Sequence, residues 1–234
     1  MGEQYGEANP PIELQLRRSP LQDRAKQTVE KILDATAELL DDEGHENLTT
    51  ERVAERSGVN IATLYHYFPN KLALLFALGQ QFAEQQQERL ESIFRRYREF
   101  AGELEWRDVV DAANDAILEF HRTVKGATAV SRAMQSYASL REIDRQQDLR
   151  QSEVVVSLLS ELGIKGSFSE LQTMALVIFQ TATAVLDNAL RWSPENADAA
   201  MDEVKIMHKQ YIEYYIKQSA DDSSTEGTAR QKPE

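Results

Sequence analysis

The chain has 234 residues, a formal charge of −13 and no cysteine. Without thiols it can form neither a disulfide nor a thiolate metal site, which suits a reducing cytoplasm, and the acidic balance taken alone argues against a nucleic-acid partner. The first twenty residues hold no apolar segment of a secretory signal, and no run of about eighteen apolar residues marks a membrane span; the nearest, TMALVIFQTATAVL at 173–186, is short and carries several threonines.

Ala, Leu, Glu, Gln and Arg dominate the middle of the chain and helix breakers are sparse there, which predicts an all-α protein. Residues 1–18 read as a disordered arm with little to bury. Ser19, Pro20 and Gln22 offer a cap, a first-turn proline and a capping-box spacing for the first helix. Val29, Ile32, Leu33, Thr36, Ala37 and Leu40 then form one stripe, and Gly44 ends it. Thr49 is the expected cap of a short second helix to Ser57. Gly58 supplies a left-handed turn, and Asn60 caps a third helix of about eight residues, stopped by Pro69. Asn70 caps a long fourth helix to about residue 100. Two short helices across a glycine turn are a helix-turn-helix signature. Further helices are expected at about 106–124, 127–138, 140–162, 168–192 (opened by Ser167 and Glu170 at capping-box spacing) and 195–218, before a loose tail over 219–234.

The third helix packs Tyr65, His66, Tyr67 and Phe68 into consecutive positions. On a helical wheel Leu64 and Phe68 share one face, with Ile61 at its edge. Ala62, Thr63, Tyr65 and His66 point largely the other way, and Tyr67 lies between. Phenol and imidazole groups can bond phosphate oxygens, and Ala62 or Thr63 can touch a thymine methyl in a major groove. Thr49, Thr50 and Lys71 stand at helix N-termini, where the dipole favours an anion. Residues 17–75 hold eight Lys/Arg against ten Asp/Glu, so −11 of the charge lies elsewhere. Arg17, Arg18, Arg24 and Lys26 read either as a basic arm reaching phosphate or a minor groove, or as a tail whose charges keep it soluble.

The stretch LTTERVAERSGVNIATLYHYFPNKLALL, residues 48–75, resembles the DNA-binding signature of the TetR family of bacterial transcription regulators: the Thr-Thr pair, apolar-Ala, Gly-Val, Thr-Leu-Tyr, a second aromatic pair, and Lys followed by Leu. The resemblance covers roughly residues 20–75. It implies a nine-helix homodimer with a helix-turn-helix DNA-binding domain over 19–70 and an effector-binding and dimerisation domain over 71–218. It also implies a repressor released from a pseudo-palindromic operator when a small effector shifts the fourth helix. Carried over by position, Thr49, Thr50, Thr63, Tyr65, His66 and Lys71 match DNA-contacting sites. Ile61 stands where some members carry a polar base reader, a departure that gives more weight to apolar contacts and DNA shape.

Phe94, Tyr97, Trp106, Asn114, Phe120, His121, Met134, Tyr137, Met174 and Phe179 are the candidates to line an effector pocket, suited to an apolar or aromatic compound. Each reads also as ordinary core. The eighth helix is apolar nearly all round and needs partners on several sides; Ile178, Val185, Leu186 and Leu190, with Val204, Met207, Tyr211 and Tyr214 of the last helix, are the expected dimer interface. The four histidines are scattered, with no metal-binding pair and no glycine-rich phosphate loop, so the residues give no sign of an enzyme, metal or cofactor. The rival reading is a helical protein-interaction adaptor that does not bind DNA; its best support is the acidic charge.

Overall fold

Ile32, Leu33 and Leu40, spaced for one helical face, turn inward together on the first of nine α-helices found among the described residues. The computed structural model describes residues 11–18, 22–100 and 103–229. Among these, α1 is Asp23–Glu43, α2 Thr50–Ser57, α3 Ile61–Tyr67, α4 Lys71–Glu99, α5 Trp106–Thr123, α6 Ala127–Ser136, α7 Ala138–Glu161, α8 Phe168–Trp192 and α9 Ala197–Ala229, with 3-10 turns at Ile12–Leu14 and Pro194–Asn196. No β-strand occurs among the described residues. The expected Ser19 cap lies outside them; α1 follows Gln22, which makes no side-chain capping bond.

Two expectations are corrected. Residues 219–229 continue α9 instead of forming a loose tail; they contain no proline, and lengthening an existing helix carries no nucleation cost. Residues 11–18 are not loose either, because Leu14 is 2% exposed and belongs to a core. By length and composition alone Phe168–Arg191 of α8 would also suffice to cross a membrane, a test that a core helix passes too. Here it packs Leu171, Met174, Ala175, Ala182 and Leu186 into helical cores.

The chain divides into two compact units: Met1–Gln86 with Phe120–Gln147, and Gln87–Glu119 with Asp148–Glu234. In the first, α1 lays Ile32, Ala37 and Leu40 against Val53 of α2, Leu64 of α3, Leu74 and Leu75 of α4, and Ala133 and Met134 of α6. Glycine is required at one junction. Gly126, which precedes α6, has φ +79°, and a Cβ there would meet Cα and Cβ of Ala37 at 2.9 Å. Its N–H donates to the Asp41 carboxylate at 2.7 Å. Gly126→Ala combines a left-handed strain with a backbone clash. It should cost more than about 2 kcal/mol of stability in urea unfolding, several times the usual surface substitution.

The second unit has three apolar clusters. The capping box at Ser167 and Glu170 is formed in both directions and sets the start of α8. A polar chain crosses the interior. Asn114 of α5 donates to the Val110 carbonyl at 2.8 Å and lies 3.3 Å from His208 Nδ1. His208 Nε2 lies 2.9 Å from the Thr181 hydroxyl, which donates to the Val177 carbonyl. This pattern makes Nδ1 the acceptor and Nε2–H the donor, so His208 is neutral. Ion pairs of Lys209 with Asp111 and of Lys205 with Asp115 tie α5 to α9 at the rim.

Burial pushes His208 down to about 4 and pushes Asp148 up to about 6, the latter opposed by a hydrogen bond from Gln180. The two act oppositely on stability. His208 contributes stability above its unfolded value near 6.5 that is lost as pH falls toward 4; Asp148 contributes stability below about 4 that is lost as pH rises through 6. Asp148→Asn should therefore stabilise the protein by about 2 kcal/mol at pH 8. The gain should vanish by pH 4, and the variant should lose stability more steeply than the parent between those values, as read by urea unfolding across pH.

Candidate nucleic-acid interface

α3 has only two turns, so its ends decide whether it forms. Asn60 Oδ1 accepts the Ala62 N–H at 2.8 Å. Before it, Thr49 accepts the Arg52 N–H at 3.3 Å to start α2, and Gly58, at φ 65°, returns its N–H to the carbonyls of Ala54 and Glu55. Beyond α3, Asn70 Oδ1 accepts the Ala73 N–H at 2.9 Å to start α4. Leu64 and Phe68 are fully buried and fasten α3 to the core. Ala62 and His66 face solvent, with Thr63 and Tyr65 half exposed beside them. This is the division of faces that the sequence predicts.

The neighbours of this face differ from expectation. Thr50 is only 7% exposed. Its hydroxyl lies 2.9 Å from that of Tyr65, which in turn donates to Glu51 at 3.4 Å. Thr50 thus holds Tyr65 instead of presenting its own hydroxyl outward, because the first residue of α2 faces α3. The Glu51 carboxyl is held below its usual range, chiefly by backbone hydrogen bonding at the helix start and also by the Thr50, Thr49 and Tyr65 hydroxyls. Ile61 and Tyr67 are half buried against the core, and Tyr67 meets His66 edge to face. Thr50→Val should cost about 1 kcal/mol in urea unfolding by removing the nearer of the two partners of the Tyr65 hydroxyl.

The basic residues of α2 are largely neutralised by α1. Arg52 pairs with Glu43, and Arg56 with Asp42 and Glu38. Lys71, at the start of α4, has its ammonium 5.4 Å from the ring centroid of Tyr137. Tyr137 also meets His45 edge to face. Tyr137 therefore supports Lys71, whereas the sequence placed it in an effector pocket.

The other expected pocket residues fall in several places. Phe120 and Met134 belong to the core of the first unit, and His121 faces the Thr128 hydroxyl at 3.3 Å. Phe94 and Tyr97 pack in one cluster of the second unit, Trp106 and Met174 in another. Phe179 is buried, and Asn114 is bound into the His208 chain. A cleft of about 290 Å³ in the second unit is lined instead by Gln87, Glu91, Arg95, Arg98, Arg150, Glu153, Val154 and Ser157. Of the expected interface residues, Leu186 and Val204 are buried inside their own unit and have no surface left for a second copy. Ile178 and Tyr211 are partly buried in one cluster, Val185 and Leu190 in another. Met207 and Tyr214 are exposed, Tyr214 at 61%. Val177 and Ile206, which sequence reasoning passed over, are exposed with them. Their signal was present: apolar side chains on helix faces that the core stripe does not use.

Sequence reasoning also missed the segment before α1. The Arg17 N–H donates to the Tyr67 carbonyl at 2.9 Å and its guanidinium to the Tyr65 carbonyl at 3.0 Å. The Asn70 amide donates to the Glu13 carbonyl at 3.0 Å. The alternation of apolar residues in PPIELQL could have marked it.

Helices α1–α3, with a short third helix fixed from within and bare of bulky aliphatics outside, define a helix-turn-helix protein with a second helical unit. The sequence pattern of bacterial regulatory proteins, tetR family, matches residues 32–78, and that of the tetracyclin repressor-like C-terminal domain matches residues 104–215. The tetracycline repressor protein class C of Escherichia coli is 51% identical over 51 residues, 22% of this chain and 23% of the relative. The HTH-type transcriptional repressor KstR of Mycolicibacterium smegmatis is 47% identical over 53 residues, 22% and 26% of the two chains. The matches thus span about a quarter of each relative's length. A TetR-family transcriptional regulator from Streptomyces coelicolor superposes with a TM-score of 0.62 at 28% identity, over 80% of this chain and 99% of that one. The chain belongs to the TetR family.

Proposed function

We propose that this chain is a ligand-responsive, DNA-binding transcriptional repressor that acts as a homodimer in the cytoplasm and has no catalytic role. The observation that carries the reading is α3. Its two large apolar side chains, Leu64 and Phe68, are wholly buried, while Ala62, Thr63, Tyr65 and His66 are turned outward on a helix narrow enough for a major groove. Thr49, Tyr65, His66 and Lys71 are the phosphate-contacting set; Ala62 and Thr63 approach the base edges. Ile61, Thr50 and Tyr67 act by holding that set in place. The relatives matched over this stretch are named as repressors, which supports the direction of control.

The dimer is assigned to α8 and α9 through Val177, Ile206, Met207 and Tyr214, apolar side chains left exposed in the single chain. A two-fold axis would set two copies of α3 in successive major grooves about 34 Å apart, reading a pseudo-palindrome. The effector is a small molecule bound in the second unit. α4 starts at Lys71 and carries Phe94 and Tyr97 near its other end, so a ligand that favours another position of this helix would shift the population away from the DNA-bound state.

Selection of random duplex DNA by the purified protein, at several salt concentrations, tests the reading. The expected result is a retained pseudo-palindrome with half-sites one helical turn apart, whose affinity falls steeply with salt as phosphate contacts release counterions. Tyr65→Ala and Lys71→Ala should each weaken binding by about tenfold or more while the protein stays folded. A folded dimer that enriches no sequence, or affinity untouched by both substitutions, would sink the groove-docking reading.

A further inference from the structure

We infer that residues 11–17 form a clip that fixes the C-terminal turn of α3, with Arg17 as a positioning residue for Tyr65; its effect on DNA readout rests on the reading proposed above. The need for such a clip follows from Pro69. In a continuing helix the carbonyl of Tyr65 would accept the N–H of residue 69, four positions on. Proline has none, and the chain leaves the helix at Phe68, which is extended. Helix ends leave their last carbonyls unsatisfied unless something outside the helix donates to them.

Arg17 donates to two of these carbonyls at once, its guanidinium to Tyr65 at 3.0 Å and its backbone N–H to Tyr67 at 2.9 Å. A cation at a helix C-terminus is also favoured by the helix dipole. The segment that delivers it is itself anchored. Leu14 is buried in the core of the first unit, the Leu14 N–H closes a turn on the Pro11 carbonyl at 2.8 Å, and the Asn70 amide holds the Glu13 carbonyl. Asn70 is also the cap of α4, so the clip spans the end of one helix and the start of the next. Tyr65 and His66 lie in the last turn of the first of these helices, and Lys71 opens the second. Tyr65 is thus held twice, at its hydroxyl by Thr50 and at its carbonyl by Arg17.

The test compares Arg17→Ala and Arg17→Lys with the parent chain. Arg17 is exposed, so both variants should fold with unchanged circular dichroism. Arg17→Ala should accelerate amide hydrogen exchange at residues 65–68 and lower affinity for the selected duplex, each by about tenfold. The slope of affinity against salt should stay unchanged, because no cationic phosphate contact is removed. Arg17→Lys, which keeps a donor and the charge, should recover most of both losses. Unchanged exchange and affinity in Arg17→Ala would overturn the clip. So would unchanged exchange with a salt slope reduced by about one, which would make Arg17 a phosphate contact instead. The exchange readout needs no DNA. If the parent chain retains no duplex but exchange at 65–68 still accelerates, the clip stands and the DNA-binding reading fails.

Discussion

Everything at the candidate interface depends on how a seven-residue helix is made to persist. Two turns cannot sustain themselves in water. α3 exists because Leu64 and Phe68 are fully buried in a core that α1, α2 and α4 build around them, and because Asn60 supplies the bond its first turn lacks. The shortness has a purpose: with its inward residues committed, nearly everything else on α3 is available to face outward. A longer helix would need more apolar surface, and the outer face would narrow.

The same economy governs charge. The chain is strongly acidic, yet the carboxylates nearest the turn motif are used locally. Glu38, Asp42 and Glu43 of α1 pair with Arg52 and Arg56 of α2, binding the two helices. Exposed pairs of this kind are individually weak, but they cancel charge of both signs close to α3. What a phosphate backbone would meet there is a small set of hydroxyls, an imidazole and Lys71, with the Glu51 carboxylate bound to Tyr65 beside them, a set specified by geometry more than by net charge.

Capping and periodicity were legible in the sequence because both are local. Thr49, Gly58, Asn60, Asn70 and the Ser167–Glu170 box act within four residues of their own positions, and the inward pair Leu64 and Phe68 follows from helical spacing alone. What escaped were partnerships between distant residues. Nothing at position 50 announces that its hydroxyl meets Tyr65, nor at 137 that a ring supports Lys71. The aromatic and methionine residues of the middle helices read both as pocket lining and as ordinary core, because composition reports apolarity without saying which neighbour satisfies it; Phe94, Phe120, Met134 and Met174 pack into separate cores. Leu186 and Val204, expected at the interface, are buried within their own unit, which composition likewise does not report. Low-complexity polar sequence before α1 suggested disorder, and three side chains, Leu14, Arg17 and Asn70, were enough to tie it down.

The docking of residues 11–17 beside α3 has a practical consequence for handling the protein. A deletion or fusion junction placed within residues 11–17 would remove bonds made to Tyr65, Tyr67 and Asn70. Assays on a chain shortened there would report the loss of the clip together with the properties of α3. Attachment after α9 keeps that end of the chain native, so the choice of expression format is already decided by where one arginine puts its N–H groups.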